Sequence, residues 1–196
     1  MGCKFKTSNS NGTQWYWWEK VNSFLSALNI PTVSNVVLSQ REKEMGPALE
    51  RVATASMKES LSEEVRLSKA GEKTSGLTAS VDGAWQKRGS GRSYDSLSGH
   101  CSMIGAQTGK VIGCSVRSKY CKTCDEAARK GKTPKKHDCR MNWTGSAKGM
   151  EQDMVVELMG TCKENGASIE TIIADDDTTT IARIKQNVNP DIKKKM

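Results

Sequence analysis

The 196-residue chain has no long apolar run, no secretory leader and no internal repeat, and it has few aromatic residues. No window approaches the roughly 20 apolar residues that a membrane helix needs, so no span is expected. Met1-Gly2-Cys3-Lys4 is followed by polar residues, which argues against a signal peptide. Seven cysteines is an odd count. Without a leader it points to a reducing compartment and free thiols rather than a disulfide framework. The lack of self-similarity argues against a solenoid. Gly2 and Cys3 invite a lipidation reading, but Lys6, Thr7 and Ser8 match such a signal only weakly.

Basic charge is abundant. The net charge is +8, and from Arg117 to Arg140 nine basic residues face three acids. Such a segment suits a polyanionic partner. A charge run alone, however, is more often a solvated lysine-rich loop.

Residues 1–13 are polar and are expected to be disordered. Trp15, Trp18, Val21, Leu25 and Leu28 recur at steps of three and four, the mark of an amphipathic helix ended near Pro31. The run Trp15 to Trp18 offers a stacking surface for nucleic acid. The core of a small helical unit is the favoured reading. Pro47 suits the first turn of a second helix, with Leu49, Ala53, Met57, Leu61 and Val65 following at steps of four over about five turns. Gly71 ends it, and Lys73-Thr74-Ser75-Gly76 reads as a linker. The division expected is a helical region at 14–76 and an α/β unit at 77–196.

In that unit Leu77, Ala79 and Val81 alternate with Thr78, Ser80 and Asp82, the period of a strand. Strands at about 97–106 and 111–118 follow across a turn at Gln107-Lys110, which suggests an antiparallel meander. A Cys/His insert spans 117–141. A helix at about 149–164 carries Met150, Met154, Leu158, Met159 and Cys162 on one side. A strand at 169–174 and a helical start at 178–185 complete the order. Cys114 and Cys162 fall on apolar faces and read as core; His100 and Cys101 read as strand residues.

Two features carry chemistry. The strand 77–82 ends in Asp82, and the strand 169–174 ends in Asp175-Asp176-Asp177. If these strands are neighbours, their acids meet, and adjacent carboxylates stay ionised only with a cation between them. Mg²⁺ suits such oxygen ligands, and two ions about 4 Å apart support phosphoryl transfer. Asp82 would bridge them, and Asp175 or its competitor Asp177 would hold one. The second feature is Cys121-Lys122-Thr123-Cys124 with His137-Asp138-Cys139. These four donors suit a closed, structural Zn²⁺ site. Free thiols in a loop are the bland alternative, and a redox Cys-x-x-Cys pair fits the context poorly.

Asp82-Gly83-Ala84-Trp85-Gln86-Lys87-Arg88-Gly89 resembles the Asp-Gly-Thr-Trp-Gln-Lys-Arg-Gly stretch of Mutator-like transposase domains of animal mobile elements. Ser118-Lys119-Tyr120-Cys121-Lys122-x-Cys124, Asn142-x-x-Gly145-Ser146-x-x-x-Met150-Glu151 and Asp175-Asp176-Asp177-Thr178 resemble the same family, in its order. The resemblance implies a ribonuclease-H-like α/β fold with a mixed sheet. It also implies a DDE transposase that uses Mg²⁺ or Mn²⁺ to cut and join the DNA ends of mobile elements, in the nucleus. A homo-oligomer is compatible with it, and no membrane is involved. The family has Asp-Gly-Asp where this chain has Asp175-Asp176-Asp177. Its third acid lies on a helix beyond the fourth strand, and the chain stops at Met196. The expectation is therefore a core truncated before its last helix, with an incomplete triad. Glu151 lies on the helix before the fourth strand, the wrong element for that acid. The alternatives are an inactive DNA-binding remnant with a basic zinc loop, and a ribonuclease-H-like nuclease acting on RNA or a hybrid.

Overall fold

The computed structural model describes residues 13–71, 76–87, 95–174 and 178–195; side chains are not described at 13–18, 71 and 178. The polar start (1–12), most of the expected linker (72–75), the stretch 88–94 and Asp175, Asp176 and Asp177 lie outside the described residues.

The described elements are α1 (Thr13–Ala27), α2 (Asn35–Gly71), β1 (Leu77–Trp85), β2 (Ser98–Gly105), β3 (Val111–Ser118), α3 (Lys122–Arg129), α4 (Ala147–Glu164), β4 (Ile169–Ile173), α5 (Thr178–Asn187) and β5 (Lys193–Lys195). The chain divides into two compact units between Ala53 and Thr54, within α2.

In the first unit, Asn22 exchanges hydrogen bonds with the Val33 backbone, its amide donating to the carbonyl and its oxygen accepting from the N–H (both 3.3 Å). None of residues 19–53 is buried, and Val21, Phe24, Leu28, Val36, Leu49 and Val52 are exposed. The expected helical core is therefore not formed among the described side chains; a two-helix hairpin has too few layers to enclose one. The tryptophan run itself lies outside the described side chains. Pro47 also corrects the sequence reading. It sits inside α2, a helix of 37 residues, and not in a first turn. A proline inside a helix removes one backbone hydrogen bond, a loss the long flanking turns absorb.

The second unit is a mixed α/β layer structure. One five-stranded sheet has the order β3-β2-β1-β4-β5. The first three strands form the expected meander, with Asp82 opposite Ser102 and Cys101 opposite Ser115. Gly109, at a φ of +65°, sits in the turn between β2 and β3, a conformation glycine adopts without strain. The chain then crosses over through α4, and β4 pairs parallel to β1. β5 adds in parallel at the far edge. Neither α3 nor β5 was expected. α3 has no buried residue and β5 is three lysines, so neither carries an apolar period.

α4 covers the sheet as its pattern predicts. Met150, Met154, Val155, Leu158, Met159 and Cys162 are buried against Ala79, Val81, Cys101, Met103 and Ile172. Arg117 of β3 clamps the outer side of α4 with ion pairs of 2.6 Å to both Asp153 and Glu157. Cys162 is core, as expected. Cys114 is half-buried and not fully core.

The outer edge of β3 is closed by one residue. Asn142 accepts from the Ser118 N–H (2.7 Å) and donates to the Val116 carbonyl (2.9 Å), while its own backbone N–H donates to the Ser118 carbonyl (3.0 Å). An Asn142→Ala variant leaves the Ser118 N–H without this acceptor. It is expected to lose about 1–3 kcal/mol, read as a lower urea midpoint with unchanged slope.

Candidate functional site

The acid end of the sheet is built by β1 and α4. Leu77, Ala79 and Val81 are buried, and Asp82 is the first exposed residue of β1. Ser80 pairs with Ile173 of β4. Asp82 thus lies two residues beyond that pair along its strand.

The residues that follow Asp82 explain why this stretch needs its particular sequence. Trp85 donates its indole N–H to the Ala147 carbonyl (3.1 Å), which fixes the first turn of α4 over the end of β1. Gly99 lies beneath Trp85 and Met150, and an added Cβ there would sit 3.4 Å from the indole and 3.5 Å from the Met150 sulfur. At Gly83 an added Cβ would lie 2.9 Å from the carboxyl carbon of Glu151 and 3.2 Å from its Oε1. Glycine at position 83 therefore makes room for the Glu151 carboxylate. Cys101, opposite Gly83 and fully buried, responds to this charge. Its thiol is pushed up to about 12, first by burial and then by Glu151 and Asp82.

The stretch Asn142 to Glu151 is equally specific. Asn142 closes β3. Trp143 folds over Gly145, where an added Cβ would meet the ring at 2.5 Å, and donates its indole N–H to the Ser146 carbonyl (2.9 Å). Ser146 caps α4 by accepting from the Gly149 N–H (3.2 Å), as serine commonly does at this position. Met150 is buried, and Glu151 follows on the turn that faces Gly83. From the sequence Glu151 reads only as an acid near a helix start. What places it is a glycine some seventy residues earlier, a contact with no local signal.

The Cys/His residues meet as expected. Cys121, Cys124, His137 and Cys139 offer ligand atoms all within 4.8 Å of one another. The separations are 3.2 Å for Cys121 Sγ to His137 Nε2, 3.5 Å for Cys124 Sγ to His137 Nε2 and 3.6 Å for Cys124 Sγ to Cys139 Sγ. A tetrahedral zinc with sulfur arms of about 2.3 Å has edges near 3.8 Å, so the set fits Zn²⁺ in size and donor type. His137 Nδ1 donates to the Lys135 carbonyl (2.7 Å), which leaves Nε2 free to bind, the usual outer-shell device for a metal-binding histidine. Cys121 caps α3. Burial pushes its thiol up, but the Cys124 backbone N–H and then His137 outweigh that and bring it down to about 6. Cys124 is pushed up to about 11, chiefly by Cys139. His137 is raised to about 9, first by the Lys135 carbonyl and then by Cys121. This proton sharing is the response of donors crowded together, and one divalent cation lets all four bind at once.

A family model described as Mutator-like transposase matches residues 18–196. The chain belongs to that family. No curated protein and no solved structure matches it. As a member of the Mutator-like transposase family it comes from a group whose activity implies DNA binding. No helix among the described residues is long and apolar enough to cross a membrane. The matched span takes in both the Cys/His cluster and the β1 end that receives Glu151.

Proposed function

We propose that this chain is the catalytic core of a DNA transposase with a ribonuclease-H-like fold, using Mg²⁺ or Mn²⁺ held by Asp82 and Asp175, with Asp177 as the competitor for the second place. The observation that carries this reading is the parallel pairing of β1 with β4 through Ser80 and Ile173. Position 82 follows one partner by two residues, and position 175 follows the other by two. The strand order, with a three-strand meander and a parallel crossover, supports the fold. Carboxylate oxygens at this end of the sheet suit a hard divalent cation. When bound, such ions activate an attacking oxygen and neutralise charge on the phosphate. The protein's own part is to hold the acids on rigid strands and to orient the DNA through its basic surface. The Cys/His cluster fits a structural zinc, and the site of action is the nucleus.

The test is nicking of DNA carrying mobile-element ends in Mg²⁺ or Mn²⁺ by a chain extended to carry the third acid of the triad, the catalytic-core fragment alone being expected to lack it. Asp82→Ala is expected to abolish cleavage and retain DNA binding; cleavage that survives the change overturns the assignment.

A second reading, a DNA-binding remnant without chemistry, is favoured by the exposed Lys130, Lys132, Lys135 and Lys136 beside the Cys/His cluster. It predicts affinity that falls steeply with salt, through counterion release, and a wild-type chain that binds but never nicks. Comparing duplex DNA with an RNA–DNA hybrid separates both from an RNA-directed nuclease.

A further inference from the structure

We infer that Glu151 is a third carboxylate of the Asp82 metal site, a role that rests on the proposed function above and adds a residue to it. Its carboxyl group lies against Gly83, the residue next to Asp82, so closely that no side chain fits between them. Neighbouring anions of this kind are stable together when a cation lies between them.

The turn that carries Glu151 is held from several sides. Ser146 caps it, Trp85 is bonded to the Ala147 carbonyl, and Met150 is anchored in the core. Gln152, the next residue, donates to the Thr179 hydroxyl (2.8 Å) at the start of α5. That hydroxyl lies two residues along the chain from Asp177. One turn of α4 therefore touches both the Asp82 end of β1 and the start of α5.

The other acids of α4 have a different task. Asp153 and Glu157 pair with Arg117 over β3. Two residues on a helix are about 200° apart, so Glu151 leaves α4 on the side opposite Asp153, toward β1. Asp82 and Glu151 both offer carboxylate oxygens, which suit Mg²⁺ or Mn²⁺ over zinc.

Iron-directed backbone cleavage of the full chain tests this without DNA. Fe²⁺ replaces Mg²⁺ and, with ascorbate and peroxide, cuts the polypeptide near the bound ion. The wild-type protein is expected to be cut around 81–84 and 149–153, with excess Mg²⁺ suppressing both. Glu151→Gln and Asp82→Asn are each expected to weaken both sets by roughly tenfold or more. If Asp82→Asn removes the cuts and Glu151→Gln leaves them at wild-type intensity, Glu151 is not a ligand and the inference falls while the Asp82 site stands. If the wild-type protein shows no cuts in either region, both the inference and the metal-dependent function fall. Should Glu151→Gln lower the melting temperature, Glu151→Asp decides. It keeps the charge and withdraws it by one methylene: a ligand then cuts more weakly at an unchanged melting temperature, whereas wild-type cutting rejects the role.

Discussion

Stripping zinc with a chelator, or replacing Cys124 by serine, is expected to unfold residues 121–139 and to leave the sheet standing. α3 is eight residues long and buries none of them. Isolated helices shorter than about 12 residues are marginal in water. Beyond the four Cys/His side chains, the side-chain ion pairs of this segment, such as Arg129–Asp125 and Arg140–Asp138, lie at the surface, each worth about 0–1 kcal/mol. Structural zinc in small modules contributes about 10–16 kcal/mol. No other term on the segment is of that size. Trypsin should therefore cut at Lys130, Lys132, Lys135 and Lys136 at least about tenfold faster without metal, because cleavage follows the open population. Zinc content should fall from one equivalent to none. Cleavage that ignores the chelator would show that the fold of the insert does not depend on metal.

Replacing Glu64 is expected to be the most damaging single change to stability. Glu64, on α2, is fully buried. It accepts from the Gln107 N–H (2.9 Å), the Thr108 N–H (2.8 Å) and the Thr108 hydroxyl (2.7 Å), and so ties the turn between β2 and β3. Gly105 makes room for it, since an added Cβ there would lie 2.3 Å from Oε2. Glu64→Ala leaves two backbone donors without this acceptor and opens a cavity, a loss of about 3–5 kcal/mol, a large part of a typical domain's 5–15 kcal/mol. Glu64→Gln turns an acceptor into a donor facing donors and should cost nearly as much. Gly105→Ala should act in the same direction by displacing the carboxylate. Urea melts measure all three, and a shift below about 1 kcal/mol for Glu64→Ala would refute the clamp.

The parts of this architecture that could be read from sequence are those with a local period. Leu77, Ala79 and Val81 announce β1, and the methionines of α4 announce its buried side. Cys121, Cys124, His137 and Cys139 announce themselves by donor type and spacing. What stayed hidden depends on distant partners. Glu64 follows Glu63 in a polar helix and looks solvated until the Gln107–Thr108 turn closes over it. Glu151 needs Gly83 to acquire its meaning. β5 is held by backbone bonds to β4 and has three lysines where a strand pattern would show apolar alternation. Pro47 misled because proline is common in first turns; here a helix long enough to outlast one missing hydrogen bond runs through it.

The hydrogen bonds between Ser118 and Asn142 bring the two stems of the intervening segment together at a single doorway on the margin of the sheet. Whatever hangs from that doorway can grow, shrink or be exchanged between relatives without shifting a strand beneath it. A short polar tether spliced from Lys119 to Arg140 should therefore yield a smaller protein whose remaining scaffold still closes.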